Sequence, residues 1–144
     1  MKICFDMDGT IANLYGVENW LDDLINENIR PYAEAQVMVN MNVLARKLNQ
    51  LQKKGYELVI ISWLSKCGSE SYDAAVTATK KAWLKKHLNS VQWNEINIVR
   101  YGTNKAQFAS SNQDILFDDE EQNRTNWIGK AYDVTNILDV LKTL

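Results

Sequence analysis

The fold is decided by the first strand of the chain and the turn after it, which read Lys2-Ile3-Cys4-Phe5-Asp6-Met7-Asp8-Gly9-Thr10. Residues 2–5 form a short apolar run, which is typical of a buried strand. The turn is indicated by Asp8-Gly9-Thr10, because these residue types favour tight changes of chain direction. Two carboxylates, those of Asp6 and Asp8, therefore follow directly after a buried strand.

Strand and helix signals alternate along the rest of the chain. Strands are predicted at 2–5, 57–61, 95–101, 114–117 and 131–134. Helices are predicted at 17–27, 37–54, 71–88, 104–110 and 136–144. The 57–61 stretch is almost continuously apolar, as in strands that are covered on both faces. This alternation predicts an α/β fold, a three-layer α/β/α sandwich with a Rossmann-like parallel sheet.

Length and composition limit the classes of protein to consider. The chain has 144 residues, 46% of them hydrophobic and 24% charged, which fits a single globular domain over 1–144. A net charge of −2 argues against binding to nucleic acid through bulk charge. No membrane-spanning run is present, and Asp6 interrupts the only stretch resembling a signal peptide. We therefore expect a cytoplasmic protein without membrane contact.

Charged and polar side chains gather where the predicted strands end. Ligands bind beyond the carboxyl ends of the strands in such sheets. The residues placed there are Asp6, Asp8, Ser62, Asp118 and Asp119, and Lys105 opens the short helix before the fourth strand. Clustered carboxylates repel one another unless a cation lies among them, and Mg²⁺ prefers oxygen ligands. The set therefore predicts a Mg²⁺ site that accepts an anionic substrate, phosphate above all.

The spacing of the first two acids also suggests a covalent mechanism. A carboxylate held in line with phosphorus can act as a nucleophile and form an aspartyl-phosphate. A second carboxylate two residues further on can protonate the leaving group and later activate water.

The segment Phe5-Asp6-Met7-Asp8-Gly9-Thr10 resembles the first motif of the haloacid dehalogenase-like superfamily, most of whose members are phosphatases. The resemblance implies that Asp6 is the nucleophile and also binds Mg²⁺ through a carboxylate oxygen. It implies that Asp8 is the general acid and base and binds the metal through its main-chain carbonyl.

Three further motifs of that superfamily follow in the same order. Ser62 resembles the second motif, whose hydroxyl group binds phosphoryl oxygens, and Lys105 resembles the lysine of the third. Asp118 and Asp119 resemble the acids of the fourth motif, which complete the metal site; either one is a candidate for the direct ligand. Lys80 and Lys81 stay open as alternatives to Lys105, although with Lys85 and Lys86 they also fit the solvated face of a helix.

Two features bear on specificity. Trp63 follows Ser62 where the family more often has a small or polar residue, so its indole is expected to overhang the bound phosphate and stack on a planar group. Residues 13–32 are left over for a small helical cap, similar to the caps near the 5′-nucleotidase and deoxyribonucleotidase branch. Tyr15, Trp20 and Tyr32 in or next to that cap offer a stacking surface for a base.

The sequence thus predicts a Mg²⁺-dependent phosphomonoesterase acting on a small phosphorylated substrate, for example a nucleotide. Two alternatives stay open: a phosphatase acting on polynucleotide ends, and a non-catalytic module that binds phosphate or metal. The oligomeric state is not predicted.

Overall fold

The computed structural model describes residues 1–144 and contains seven strands and six α-helices. The strands are β1 (Lys2–Phe5), β2 (Ala12–Asn13), β3 (Gln36–Val37), β4 (Glu57–Trp63), β5 (Glu95–Val99), β6 (Ile115–Phe117) and β7 (Lys130–Tyr132). The helices are α1 (Trp20–Ile25), α2 (Arg30–Glu34), α3 (Met41–Lys53), α4 (Glu70–His87), α5 (Glu121–Asn126) and α6 (Ile137–Lys142). Short 3₁₀ helices cover Leu14–Gly16, Lys105–Phe108 and Val134–Asn136.

Five strands form one parallel sheet in the order β5-β4-β1-β6-β7. Alternate side chains of β1 point to opposite faces, as expected for a strand. Ile3 and Phe5 pack in the larger core with α3, α4 and α6, whereas Cys4 packs on the other face with Trp127 and Phe108. Helical segments therefore cover both faces, and the predicted three-layer α/β fold is confirmed.

The two long helices begin and end where their local sequence dictates. The Asn40 side chain accepts a hydrogen bond from the Val43 amide at the start of α3, and the Ser69 side chain accepts one from the Tyr72 amide at the start of α4. After α3 the chain turns at Gly55, whose φ of +101° suits glycine.

A separate segment lies between β2 and β3. These two short strands pair antiparallel, Ala12 with Val37 and Asn13 with Gln36, so the two ends of the segment lie side by side. Residues 14–35 leave the main sheet through this pair and carry α1 and α2. α1 is shorter than the predicted 17–27 helix, because it starts only after Asn19, at φ +61°, and ends at Ile25. Pro31 lies in the first turn of α2, a position that suits proline.

None of the helices combines the length and the apolar character that a membrane crossing needs.

Candidate active site

Asp6 and Asp8 follow β1, the strand at which the order of the sheet reverses. β1 lies between β4 and β6. After β1, the chain forms β4 and β5 on one side of it and then β6 and β7 on the other. Open α/β sheets bind ligands at such a switch point. Beyond β1 the chain makes a tight loop in which the Ala12 amide donates to the Met7 carbonyl at 3.0 Å, and Gly9 adopts a φ of +81°.

The ammonium group of Lys105 lies between two of the predicted acids. Its Nζ is 2.9 Å from Asp6 Oδ1 and 2.7 Å from Asp118 Oδ2. Only 2% of the Lys105 side chain is exposed. Burial lowers the pKa of Lys105, but the two carboxylates outweigh this effect and raise it above its ordinary value. Lys105 is therefore a buried, permanent cation in contact with Asp6.

Asp118 is fully buried, and hydrogen-bond donors surround its carboxylate. Oδ1 accepts from the Glu120 amide at 2.9 Å, and Oδ2 accepts from Asn123 Nδ2 at 3.2 Å as well as from Lys105. Three donors therefore hold the Asp118 carboxylate, and one of them is the Lys105 ammonium.

Asp119 has far fewer hydrogen bonds than its neighbour. Its Oδ1 lies 3.4 Å from the Thr10 hydroxyl, which is closer, at 3.0 Å, to Asp6 Oδ2. A Cβ atom at Gly9 would collide with Asp119 Oδ2, so the loop after β1 lies directly against this carboxylate. Of Asp118 and Asp119, Asp119 is the one with carboxylate oxygens left for a ligand.

The carboxylates of Asp6, Asp118 and Asp119, here called the acidic cluster, have one oxygen each within 4.8 Å of the others. Burial, together with the charge of Asp6, raises the pKa of Asp119 to about 8 and that of Asp118 to about 6. With Asp8 included, four carboxylates face two ammonium groups, which leaves two negative charges uncompensated when all are ionised. A hard divalent cation such as Mg²⁺ fits this donor set in both ligand type and charge.

Lys80 is the second buried ammonium of the site. Its side chain is 1% exposed, and Nζ donates to Asp8 Oδ2 at 2.8 Å, to Ser62 Oγ at 2.7 Å and to the Trp63 carbonyl at 2.6 Å. The solvated-face interpretation is therefore wrong for Lys80, although Lys81 is exposed as expected. Burial raises the pKa of Asp8, and the nearby Lys80 opposes that rise.

Ser62 and Trp63 end β4 beside these groups. Ser62 is fully buried, and its Oγ accepts the bond from Lys80. The Trp63 indole N–H donates to the Thr103 carbonyl at 2.9 Å, so the ring rather than the N–H faces a ligand. The ring lies 5.0 Å from that of Tyr101 and 5.4 Å from the Lys105 ammonium, a cation–π distance.

A cavity of about 270 Å³ opens above the acidic cluster. Asp6, Asp8, Lys105 and Asp119 line its polar end. The rest of the lining includes four leucines and five aromatic residues, and the aromatic residues are called the aromatic wall below: Tyr15, Trp20, Tyr32, Trp63 and Tyr101. The first three come from the segment between β2 and β3 that carries α1 and α2, so that segment forms one side of the cavity.

Comparisons with known proteins support the fold. No protein-family model and no curated protein matches this chain. The crystal structure of D,D-heptose 1,7-bisphosphate phosphatase from Burkholderia thailandensis is similar, with a TM-score of 0.52. The alignment has 16% identity and covers 86% of this chain and 69% of that chain. At this identity the likeness shows a shared fold.

The structure brings together Asp6, Asp8, Ser62, Trp63, Lys105, Asp118 and Asp119, leaves the alternative Lys81 exposed on α4, and adds other residues to the site. Asn123 and Tyr101 carried no sequence signal that set them apart from ordinary surface residues. Lys80 did carry one, because it falls on the buried stripe of α4 at four-residue intervals from Val76 and Leu84. A lysine on an apolar stripe indicates a buried charge that must be paired.

Proposed function

We propose that this chain is a Mg²⁺-dependent phosphomonoesterase that works through an aspartyl-phosphate on Asp6. One observation carries the proposal: a buried Lys105 ammonium is shared between Asp6 and Asp118, beside Asp119, at the polar end of a cavity. Such an arrangement places positive charge beside a carboxylate nucleophile, where a phosphoryl group would arrive. The name of the fold neighbour, a phosphatase, agrees with this activity.

The proposed reaction has two displacements at phosphorus. An Asp6 carboxylate oxygen attacks phosphorus, the bond to the leaving oxygen breaks, and Asp8 gives its proton to that oxygen. Water then attacks the aspartyl-phosphate and gives a proton to Asp8. The bond between phosphorus and Asp6 breaks, so the carboxylate is restored and inorganic phosphate is released.

The residues that would hold Mg²⁺ are Asp6 and Asp119, with Asp119 as the direct ligand of the fourth motif, whereas Asp118 would act through the Lys105 ammonium that it binds. The main-chain carbonyl of Asp8 is a further ligand by resemblance to the family. Bound Mg²⁺ supplies positive charge that offsets the charge of the phosphoryl oxygens and of the carboxylates around them.

For phosphate itself we propose Lys105, Ser62 and the overhanging ring of Trp63 as the contacts. The Ser62 hydroxyl already accepts from Lys80, which leaves its own O–H free to donate.

For the remainder of the substrate the aromatic wall suits a planar group, so a nucleotide is the favoured class. Base-sized rings stack well on tyrosine and tryptophan faces. We further propose that residues 13–32 act as a small cap, since three members of the aromatic wall lie in that range and α2 packs on α4.

The test is hydrolysis of p-nitrophenyl phosphate and of nucleoside monophosphates by the wild-type chain, Asp6→Asn and the control Asp139→Asn. Asp139 is exposed on α6, away from the site, so its variant should retain wild-type turnover. We expect activity that a chelator abolishes and Mg²⁺ restores, and a loss on the order of 10³-fold or more in Asp6→Asn. Full activity in folded Asp6→Asn would refute the covalent mechanism.

The two alternatives make different predictions. A polynucleotide-end phosphatase would lose activity on oligonucleotides, but not on mononucleotides, as salt rises. The cavity offers it little support, because Lys66 is the only cation in the lining apart from Lys105. A non-catalytic module would bind Mg²⁺ and phosphate without turnover of any ester.

A further inference from the structure

We propose that Lys80 is a positioning residue for the proton transfers assigned to Asp8, an inference that rests on the proposed phosphatase activity. The sequence motifs account for one lysine in the site, Lys105, and leave the second buried ammonium without a role. Lys80 contacts neither Asp6 nor the acidic cluster, so it does not duplicate Lys105.

All three N–H bonds of the Lys80 ammonium group have an acceptor within the protein. An ammonium group has three N–H bonds, and those of Lys80 have three acceptors within 2.8 Å on two separate segments: Asp8 Oδ2, Ser62 Oγ and the Trp63 carbonyl. Its charge also lies 5.1 Å from the centre of the Tyr32 ring, which closes the remaining side. Lys80 therefore has no donor left for substrate, and its effect must pass through the groups it holds.

Asp8 is the group on which this arrangement acts. Asp8 Oδ2 accepts a hydrogen bond from Lys80. Asp8 Oδ1 makes no hydrogen bond and is accessible to solvent. A proton carried on Oδ1 leaves the bond from Lys80 to Oδ2 intact. The same contact therefore persists whether Asp8 is the acid of the first displacement or the base of the second, and it aims one defined oxygen at the reacting atoms.

Ser62 and Trp63 complete the support. These two residues end β4, so the Lys80 ammonium connects the loop after β1 to β4, the strand that pairs with β1. The orientation of Asp8 thereby depends on β4 as well as on the loop after β1.

The experiment compares two esters that differ in their need for an acid. p-Nitrophenyl phosphate releases a stable phenoxide, whereas benzyl phosphate releases an alkoxide that must be protonated. The quantity compared is kcat/KM, which reports on formation of the aspartyl-phosphate and not on its later hydrolysis. For Lys80→Met we expect a loss of about 10²–10³-fold on benzyl phosphate and less than about 10-fold on p-nitrophenyl phosphate. Lys81→Met, the exposed neighbour, should match the wild type on both esters.

Asp8→Asn supplies the internal reference. If Lys80 acts through Asp8, adding Lys80→Met to Asp8→Asn should change kcat/KM by no more than about twofold. The double variant also keeps the test open if Lys80→Met alone does not fold, because it removes the unpaired buried charge of Asp8. Equal losses of kcat/KM on both esters in Lys80→Met would overturn the role proposed for Lys80 but not the proposed phosphatase activity. A loss of more than about 10-fold in the double variant relative to Asp8→Asn would do the same. A wild-type chain that hydrolyses neither ester refutes the proposed function, and this inference with it.

Discussion

Replacing Lys105 with methionine tests the electrostatics of the site without assuming any activity. The side chain is 2% exposed, and methionine fills a similar volume without the charge. Removing one partner of a buried ion pair costs about 3–5 kcal/mol, because the remaining charges stay buried and unpaired. Here the charges left behind are the carboxylates of Asp6 and Asp118, which also repel each other.

The assay is urea unfolding in the presence of a chelator at pH 8 and pH 5. With a slope of about 2 kcal/mol per molar urea, a loss of about 4 kcal/mol lowers the midpoint by about 2 M at pH 8. At pH 5 the carboxyl groups can take up protons, because the pKa of Asp118 is already raised to about 6 and that of Asp119 to about 8. The loss at pH 5 should therefore be less than half that at pH 8.

The matched control is Lys81→Met, which should change the free energy of unfolding by no more than about 0.5 kcal/mol. A change below about 1 kcal/mol in Lys105→Met at pH 8, or equal changes at the two pH values, would show that the ammonium does not compensate these carboxylates.

Two further predictions follow from the acidic cluster. The raised pKa values of Asp119 and Asp118 stabilise the folded state at low pH, and this contribution is lost as pH rises from about 4 to about 8. The Tm of chelated protein should therefore fall over this range, and millimolar Mg²⁺ should restore it at pH 8; a Tm that Mg²⁺ leaves unchanged would argue against a metal site. Gly9→Ala should weaken Mg²⁺ binding, measured by calorimetry, because the new Cβ atom would displace the Asp119 carboxylate. Gly55→Ala is the control: it also lies at a positive φ but has open space around it, so it should lower stability without affecting Mg²⁺ binding.

Most of the central sheet was predictable, because its strands are apolar runs that alternate with helical periodicity. The convergence of Asp6 with Asp118 follows from the rule that ligands bind beyond the carboxyl ends of parallel strands, whereas the order of the strands was not predicted. The 37–54 helix was predicted too long at its start because Gln36 and Val37 pair with β2 instead. A strand of two residues has no periodicity for the sequence to display.

The candidate site was predicted less completely than the fold. The order of the motifs predicts that Lys105 lies near Asp6, and Lys105 Nζ is 2.9 Å from Asp6 Oδ1. Lys80 was left open between the site and the solvated face because Lys81, Lys85 and Lys86 share its helix, although its four-residue spacing from Val76 and Leu84 already indicated the buried stripe. Only the position of β4 relative to α4 shows that its ammonium meets Asp8 and Ser62.

The antiparallel pair of β2 and β3 has an architectural consequence. Because the chain leaves and returns through adjacent residues, Ala12 opposite Val37, the intervening stretch is closed at its base like a stem with a loop. This one stretch carries Tyr15, Trp20 and Tyr32 together. A change in its length or sequence would therefore alter most of the aromatic wall at once, whereas Asp6, Asp8, Lys105 and Asp119 belong to other segments of the chain.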